Sequence, residues 1–298
     1  MNLKKSDKIS ILRGGISNEK DISILTANQV FDTLKKKYKT SVIDVGSNCN
    51  KLITDLRNNK PDKVFNCLHG FFGEDGQIQS ILNYLSIPYT HSGVLASSLA
   101  MNKLISKNFY ESLGIKCPKV YKLNEKITFP VIAKPVCGGS SNGLSKIENN
   151  IQLLELKSKN DFGDLMIEQY IEGREITVGI LNNEICGVME IISDSEIYDY
   201  KNKYVKIASH ILNPKLPKKI ENRIKELSMM AHKEINCNCI SRLDFRYSKY
   251  YEEVFLLEIN TQPGLTKNSL LPEMAKDKGI TFLKLCELIL AKSKCEKV

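Results

Sequence analysis

Two carboxylates and an amide near the C-terminal end of the chain are candidates to bind a metal ion. Asp244 lies in an apolar-rich run, 241–247, and Glu258 and Asn260 lie in a second run, 254–260. A polar connection that contains tyrosines separates the two runs, which predicts an antiparallel hairpin. Because side chains two residues apart on a strand share a face, Glu258 and Asn260 are expected on the same face of the second strand.

The register of this hairpin decides which side chains meet. A turn centred near Tyr251 places Asp244 opposite Glu258 and Arg242 opposite Asn260. Like charges directly across a ladder destabilise a sheet, so the two carboxylates need a compensating partner. Two carboxylates and an amide oxygen suit Mg²⁺ or Mn²⁺ bound together with substrate phosphates. The alternative is a solvated strand face that carries incidental charges.

The residues that follow the hairpin favour the metal site. Residues 261–264, Thr-Gln-Pro-Gly, predict a turn that exposes backbone N–H groups beside the cation. Ser269 adds a hydroxyl group just beyond this turn. Several groups that can bind a ligand are therefore expected at this end of the hairpin.

A glycine-rich loop is a second candidate site. The apolar run 129–133 leads into Lys134 and then into Cys-Gly-Gly-Ser-Ser-Asn-Gly at 137–143. Closely spaced glycines and serines can wrap backbone amides around a phosphate, and Lys134 adds a positive charge. No Gly-Lys-Ser/Thr sequence follows, so this is not a Walker A loop. Glycine-rich hairpins also occur for steric reasons alone, and that alternative stays open.

The N-terminal part of the chain predicts an α/β layer with polar loops after its strands. Apolar runs at 8–12, 41–45 and 63–68 alternate with helical patterns. Functional residues gather outside the carboxyl ends of the strands in such sheets. Glu19 and His69 lie in loops of this kind, and we expect His69 near a substrate pocket, with a hydrogen-bonded structural histidine as the alternative.

The middle of the chain predicts the remaining parts of a ligand site. An amphipathic helix is expected over 96–113, and it carries Lys103. A strand becomes a polar hinge at 164–175, where backbone groups could contact a base and a carboxylate could bind sugar hydroxyls. The long irregular stretch 197–213 predicts a lid.

The composition narrows the class of protein. The chain has 298 residues, 42% of them hydrophobic and 26% charged, which is ordinary for a globular protein of two or three subdomains. The formal net charge is +9, but the lysines are spread along the chain and tryptophan is absent. This pattern disfavours a nucleic-acid binder and suits a protein that attracts anionic substrates such as nucleotides.

The cysteines and the hydropathy pattern predict a cytoplasmic protein. Nine cysteines, an odd number without regular spacing, favour reduced thiols over a disulfide framework. Cys237 and Cys239, with His232 nearby, are more typical of buried structural thiols than of a metal cluster. No signal sequence and no run of 18 apolar residues occurs, so neither export nor membrane insertion is expected.

The segment RLDF…LLEINTQPGLTKNSLLP resembles the metal-binding end of an ATP-grasp ligase, specifically of the D-alanine–D-alanine ligase family. The resemblance extends over nearly the whole chain, in the family's order, through GGISNE, LHGFFGEDG, MNK, VIAKP and YDYKNKY. It implies an α/β ATP-grasp fold with three parts. These are an N-terminal Rossmann-like α/β domain at 1–92, a small central domain at 93–172 and a C-terminal domain with a mixed or antiparallel sheet at 173–298.

The resemblance also implies a role for individual residues. The catalytic residues would be Glu19, Ser140, Tyr204, Arg242, Gly264 and Ser269. ATP would be bound by Lys103, Lys134, Glu168, Ile171, Glu175 and Lys203. Glu19, His69, Ser269 and Leu270 would bind D-alanine, and Asp244, Glu258 and Asn260 would hold two Mg²⁺ or Mn²⁺ ions.

The implied reaction is the ATP-dependent joining of two D-alanines through an acyl phosphate, for peptidoglycan precursor synthesis. Lys203 and Tyr204 match peptide-forming members, and relatives suggest a homodimer. The sequence departs from the family's pattern at Arg13, His91, Gly138 and Gln169. Two alternatives remain, namely another ATP-grasp carboxylate–amine ligase and a catalytically silent nucleotide-binding protein.

Overall fold

In the part of the chain that it describes, a computed structural model contains three sheets and the helices that cover them. The described residues are 3–122, 125–139, 143–158, 163–192, 209–266 and 268–296. The strands of the sheets lie at 8–66, 131–169 and 174–260, so each sheet is formed by one continuous part of the chain. Within the described residues, no helix is long and apolar enough to cross a membrane.

The first sheet is parallel, with the strand order β2–β1–β3. Its elements are β1 (Lys8–Gly14), α1 (Lys20–Leu34), β2 (Lys39–Val45), α2 (Cys49–Asn59), β3 (Lys63–Asn66) and α3 (Gln77–Tyr84). The central strand β1 and its neighbour β3 are largely buried, as near-continuous apolar runs require in a parallel sheet. The loops that carry Glu19 and His69 leave this sheet at the carboxyl ends of β1 and β3, where sequence periodicity predicts them.

A short antiparallel sheet follows, with the strand order β5–β4–β6. Its elements are β4 (Val131–Pro135), β5 (Ser145–Ile147), α6 (Asn150–Ser158) and β6 (Leu165–Gln169). Val131 and Ala133 are buried in its small core together with Ile147 and Ile167. Lys134 alternates with these core residues and therefore points to the other face.

The helix predicted over 96–113 is two helices. They are α4 (Val94–Met101) and α5 (Lys103–Ser112), and Asn102 between them has an extended backbone. The Asn102 side chain accepts a hydrogen bond from the Ile105 N–H at 3.1 Å, which caps α5. The break places Lys103 in the first position of α5, where its direction is set by the cap.

The third sheet has five strands, in the order β11–β10–β7–β8–β9, and all neighbouring strands are antiparallel. Its strands are β7 (Arg174–Leu181), β8 (Glu184–Ile192), β9 (Ser209–Leu212), β10 (Ile240–Ser248) and β11 (Glu253–Asn260). Helix α7 (Lys218–Glu234) buries Ile220, Ile224 and Leu227 against one face of this sheet.

Helix α8 (Leu270–Asp277) packs close to the same sheet at a pair of glycines. Gly179 of β7 and Gly187 of β8 are cross-strand partners. A Cβ atom at Gly187 would lie 2.9 Å from the Cβ and Cγ atoms of Met274, and one at Gly179 would lie 2.6 Å from its sulfur. The absence of side chains at these two positions lets α8 approach the strands directly.

One hydrophobic cluster joins the beginning and the end of the chain. Ile11 of β1 and Val30 of α1 share it with Leu285 and Ile289 of the last helix, α9 (Phe282–Ala291). Beyond α9, the Ser293 hydroxyl accepts a hydrogen bond from the buried Nζ of Lys63 at 2.8 Å. These contacts hold the loops of the first sheet in place against the third sheet.

Candidate active site

A cavity between the second and third sheets brings most of the predicted nucleotide-binding residues together. The residues that were predicted from the sequence and that line this cavity are Lys103, Lys134, Glu168, Ile171, Glu175, Asp244 and Glu258. Lys134 and Glu168 come from the second sheet, whereas Asp244 and Glu258 come from β10 and β11 of the third. A ligand in this cavity would therefore contact lysines on one side and carboxylates on the other.

The hairpin β10–β11 has the predicted register. Asp244 pairs with Glu258 and Arg242 pairs with Asn260, and a bulge follows directly after Asp244. The Arg242 guanidinium donates to both oxygens of Asp244, with the shortest distance at 2.8 Å, and Thr177 of β7 donates to Asp244 Oδ1 at 2.6 Å. Two facing carboxylates are thus held in fixed positions by the sheet.

The carboxylate pair has nearby cations, which lower the cost of placing like charges together. Arg242 balances the buried Asp244, and Lys103 Nζ lies 3.8 Å from Glu258 Oε2. Asn260 Oδ1 accepts a hydrogen bond from the Gln262 N–H at 2.9 Å, which orients the amide. An amide oxygen has a second lone pair, so this contact does not prevent it from binding a cation.

These oxygen donors fit Mg²⁺ or Mn²⁺. Within the described residues, no group of three or more His, Cys, Asp or Glu side chains could hold a metal alone. Mg²⁺ is usually held by one or two carboxylates together with substrate phosphates, and Asp244 and Glu258 line the same cavity as the two lysines. The donor set is therefore compatible with a metal ion bound together with a phosphorylated ligand.

Lys103 and the glycine-rich loop are in direct contact. Lys103 Nζ donates to the Gly138 carbonyl at 2.5 Å. Burial lowers the pKa of Lys103, an effect that nearby Lys134 strengthens and Glu258 opposes. The lysine thus links the start of this loop to the hairpin.

Lys134 is one end of a buried row of three charges. Its Nζ lies 2.6 Å from Glu168 Oε1, and Lys107 Nζ lies 2.8 Å from Glu168 Oε2. Burial opposes the charged form of Lys134, but the attraction of Glu168 and Glu258 outweighs it and raises the pKa of Lys134. Sequence reasoning missed Lys107, although its spacing of four residues from Lys103 in helix α5 puts both lysines on one helical face.

The hinge after β6 is held by Arg246, a second residue that sequence reasoning missed. Arg246 donates to the Gly173 carbonyl at 2.9 Å and lies 3.1 Å from Glu175 Oε2. Gly173 has a φ of 152°, and a Cβ atom there would lie 2.1 Å from the Tyr247 carbonyl oxygen. Glycine is therefore required where the hinge crosses β10, and Glu175 is fixed at the edge of the cavity.

The two loops of the first sheet meet each other and the glycine-rich loop. The Ser17 hydroxyl donates to the His69 carbonyl at 2.6 Å and accepts from the Glu19 N–H at 3.1 Å. A Cβ atom at Gly139 would lie 3.1 Å from Glu19 Oε2, so the glycine-rich loop lies directly beside this carboxylate. Glu19 and His69 are both buried at this junction.

His69 is paired with Glu74, which lies in the same loop. His69 Nδ1 is 2.6 Å from Glu74 Oε1. Burial opposes the charged imidazole, but the Glu74 carboxylate outweighs this effect and raises the pKa of His69. A positive charge is thereby favoured at the carboxyl end of β3.

Residues 261–270 connect the hairpin β10–β11 to the first sheet. Asn66 of β3 donates to Gln262 Oε1 at 2.9 Å, and Gln262 Nε2 donates to the Leu68 carbonyl. Ser269 Oγ accepts from the Thr266 N–H at 3.0 Å and would lie 3.1 Å from a Cβ atom at Gly264. Gly264, Ser269 and Leu270 therefore lie next to each other, with Leu270 at the start of helix α8.

Three predicted residues, Ser140, Lys203 and Tyr204, lie outside the described residues.

The structure shows what surrounds each residue that departs from the family's pattern. Arg13 is bound to Asp44 and Asn28, Gln169 donates to the Tyr251 hydroxyl at 3.3 Å, and a Cβ atom at Gly138 would meet nothing within 4 Å. His91 packs edge-on against Phe65, and burial lowers the pKa of His91 to about 3.

Comparison with known proteins decides the family. Residues 100–291 match the family profile described as D-ala D-ala ligase C-terminus. The D-alanine–D-alanine ligase of Pelagibacter ubique (strain HTCC1062) is 43% identical over 95% of this chain and 97% of its own length. The chain belongs to the D-alanine–D-alanine ligase family. The ligase of Bartonella tribocorum (strain CIP 105476 / IBS 506) is 38% identical over 98% of this chain and 99% of its own length.

Solved structures of D-alanine–D-alanine ligases agree with this fold. The Bacillus anthracis ligase complexed with ATP superimposes with a TM-score of 0.83 at 29% identity, over 96% of this chain and 97% of that one. The Coxiella burnetii ligase gives a TM-score of 0.78 at 25% identity, over 97% and 94%. The α/β architecture of this chain, with its three sheets, is therefore that of the ATP-grasp ligases of this family.

Proposed function

We propose that the protein joins two D-alanine molecules into D-alanyl-D-alanine, with conversion of ATP to ADP and phosphate. The observation that carries the proposal is the convergence of Lys103 and Lys134 with Asp244 and Glu258 on one cavity. Lysines opposite paired carboxylates suit a nucleotide triphosphate bound with a divalent metal ion. The dipeptide would serve peptidoglycan precursor synthesis in the cytoplasm.

The nucleotide would lie across the cavity from the hinge to the hairpin. Ile171 and the hinge backbone would contact the adenine, Glu175 would bind the ribose, and Lys134 would contact the α-phosphate. Lys103, and Lys203 from the lid, would bind the terminal phosphates. The resemblance assigns the adenine amine to Glu168, and the geometry adds that both oxygens of Glu168 contact lysines.

The first chemical step would activate the carboxylate of the first D-alanine. A carboxylate oxygen attacks the γ-phosphorus of ATP, the bond to the β-phosphate oxygen breaks, and ADP leaves. Asp244, Glu258 and Asn260 would hold two Mg²⁺ or Mn²⁺ ions, which neutralise charge on the phosphates. Glu19 would hold the amino group of this D-alanine, and His69 would lie beside it.

The second step would form the peptide bond. The amine of the second D-alanine attacks the acyl carbon, and phosphate leaves with the oxygen that came from the carboxylate. Arg242 and the Gly264 N–H would stabilise the negative charge of the tetrahedral intermediate. Ser269 and the Leu270 backbone would hold the carboxylate of the second D-alanine, and Ser140 and Tyr204 would close the site.

The proposal also includes the domain boundaries and the oligomeric state. We place domain boundaries at 1–92, 93–172 and 173–298, so that each domain contains one of the three sheets. We also expect a homodimer, which sedimentation of the purified protein would show as twice the 33.7 kDa chain mass. A sedimenting species of one chain mass at micromolar concentration would contradict the dimer without affecting the ligase proposal.

Product formation tests the proposed function. The purified protein, with ATP and Mg²⁺, is incubated with D-alanine, L-alanine, D-lactate together with D-alanine, or no amino acid. Phosphate release that requires D-alanine, with D-alanyl-D-alanine seen by mass spectrometry, is the expected result. ATP binding without turnover on D-alanine would instead favour another carboxylate–amine ligase or a silent nucleotide-binding protein.

A further inference from the structure

Lys107 is a fully enclosed cation close to the nucleotide cavity. Only 2% of its surface is exposed, and 2% of the surface of its partner Glu168. An isolated charge in such a position is strongly unfavourable, so a buried lysine requires a compensating partner. Glu168 and Lys134 line the cavity, whereas Lys107 lies behind them. Lys107 therefore acts on a ligand without touching it, through its hold on Glu168 and through its charge.

The three charges form a row in which the carboxylate is shared. Glu168 uses one oxygen for Lys134 and the other for Lys107, at 2.6 and 2.8 Å. Two lysines and one glutamate leave one net positive charge in the row. Without Lys107, the glutamate would cancel the charge of Lys134, and the row would present no net charge to a phosphate.

We propose that Lys107 is a positioning residue for ATP, because it holds Glu168 in place and offsets its charge, so that the row presents a net positive charge to the phosphates. This inference rests on the proposed nucleotide-binding function of the cavity. It gives Glu168 and Lys107 different roles. The carboxylate fixes the direction of Lys134, and the positive charge of Lys107 offsets the negative charge of that carboxylate.

A purely structural ion pair makes a different prediction. If Lys107 and Glu168 only stabilise the fold, loss of the lysine weakens all ligands equally or not at all. If Lys107 sets the charge of the row, its loss weakens phosphate binding selectively. Removing one unit charge about 10 Å from a phosphate changes affinity roughly tenfold at an effective dielectric constant of about 20.

The test compares ligands with and without phosphates. The affinities of ADP and adenosine are measured by calorimetry in one buffer with excess Mg²⁺ and no D-alanine. The ratio of the two affinities reports on the phosphates, because contacts to the base and the ribose cancel. The variants are Lys107→Met, which keeps the length of the side chain, and the double variant Lys107→Met/Glu168→Gln.

The matched control is Lys116→Met. Lys116 is exposed, pairs with Glu253 at 2.6 Å and does not line the cavity, so this variant removes one positive charge elsewhere. We expect the ADP-to-adenosine ratio to fall roughly tenfold in Lys107→Met and to stay unchanged in Lys116→Met. In the double variant the row again has one net positive charge, and the ratio should recover to within about threefold of the original protein.

Two results would overturn the inference. One is a folded Lys107→Met protein whose ratio equals that of Lys116→Met. The other is a double variant whose ratio is as low as that expected for the single one. If Lys107→Met does not fold, a low ratio in the double variant would still refute the inference, because replacing both buried charges with neutral groups is tolerated far better than removing one.

The experiment distinguishes a failure of the proposed role of Lys107 from a failure of the proposed function. A chain that binds neither ADP nor adenosine would contradict nucleotide binding itself, and with it the function. A chain that binds ADP as expected but does not act on D-alanine would contradict the ligase assignment alone. The ratio in the Lys107 variants would then still decide the role of this lysine.

Discussion

The glycine pair under helix α8 gives a prediction that links packing to substrate binding. In Gly187→Ala the new Cβ atom would lie 2.9 Å from the Cβ and Cγ atoms of Met274, whereas ordinary contacts begin at 3.4 Å. Since Met274 Cβ is fixed to the helix backbone, rotation of the side chain cannot relieve the contact. The helix must move away from β8 by about half an ångström.

This displacement should cost stability and weaken the binding of the second D-alanine. Overpacking of this kind typically costs about 1–3 kcal/mol of unfolding free energy. Ser269 and Leu270 at the start of α8 move with the helix, so we expect a KM for the second D-alanine about threefold to tenfold higher. The KM for ATP should stay unchanged, because no residue of α8 lines the nucleotide cavity.

Two assays and two controls measure these effects. Urea unfolding gives the change in stability, and ADP release at saturating ATP over a range of D-alanine concentrations gives the KM. Gly46→Ala is the matched control, because a Cβ atom at this exposed position meets nothing within 4 Å. Gly179→Ala should cost less than Gly187→Ala, because it meets only the ends of the Met274 and Leu271 side chains.

A Gly187→Ala protein as stable as Gly46→Ala would contradict the predicted loss of stability. A KM for ATP that rises as much as the KM for D-alanine would contradict the predicted selective effect on D-alanine binding. In the first case the helix would adapt without strain. In the second case the change would be global rather than transmitted through α8.

Three further predictions concern single side chains. Glu258→Gln should lower turnover by at least about 100-fold and weaken activation by Mg²⁺, while the urea midpoint of unfolding changes little. Normal Mg²⁺-dependent turnover would contradict the assignment of Glu258 as a metal ligand. Glu74→Gln should lower the pKa of His69, because the carboxylate that favours the charged imidazole is lost. An NMR titration of the four histidines would show this as an inflection at lower pH, and an unmoved inflection would contradict it. Tyr204→Phe should impair closure of the site and raise the KM for ATP, and steady-state kinetics identical to the original protein would contradict the proposed contact with Ser140.

The hairpin β10–β11 shows what can be predicted from the sequence and what cannot. The predicted pairing of Asp244 with Glu258 rests on the two-residue period of strands and on a turn between two short apolar runs, and the structure contains this pair. The bulge after Asp244 was not predicted, and it lies between the turn and the carboxylates. The ladder runs regularly from Ser248–Glu253 to Phe245–Leu256, so without the extra residue in β11 Asp244 would lie opposite Leu257 instead of Glu258. Local periodicity predicted that the two carboxylates lie close together, whereas their direct pairing depends on the bulge.

Lys107 shows what sequence reasoning misses. On an amphipathic helix a lysine is most simply interpreted as solvated, because its burial depends on a partner from a different element. That partner, Glu168, lies 61 positions further along the chain, and only the tertiary fold brings the two side chains together. Likewise, the packing of α9 on the first sheet depends on contacts between the two ends of the chain, which periodicity does not report.

The helix break at Asn102 lies between these two cases. The sequence from 96 to 113 has a continuous helical pattern, and it predicts one helix. Asparagine is also a preferred N-cap residue, and its side chain does cap a second helix here. The capping signal was present in the sequence, but hydrophobic periodicity alone does not distinguish a capping asparagine from an exposed one.

The central claim is that the carboxylate of the first D-alanine becomes an acyl phosphate, and an isotope experiment tests it most directly. The protein, ATP and Mg²⁺ are supplied with D-alanine whose carboxylate carries ¹⁸O, and the released phosphate is analysed by mass spectrometry. An acyl phosphate intermediate predicts one ¹⁸O atom in each phosphate, because the carboxylate oxygen stays with phosphorus when the amine attacks the acyl carbon. Unlabelled phosphate formed together with the dipeptide would contradict this intermediate.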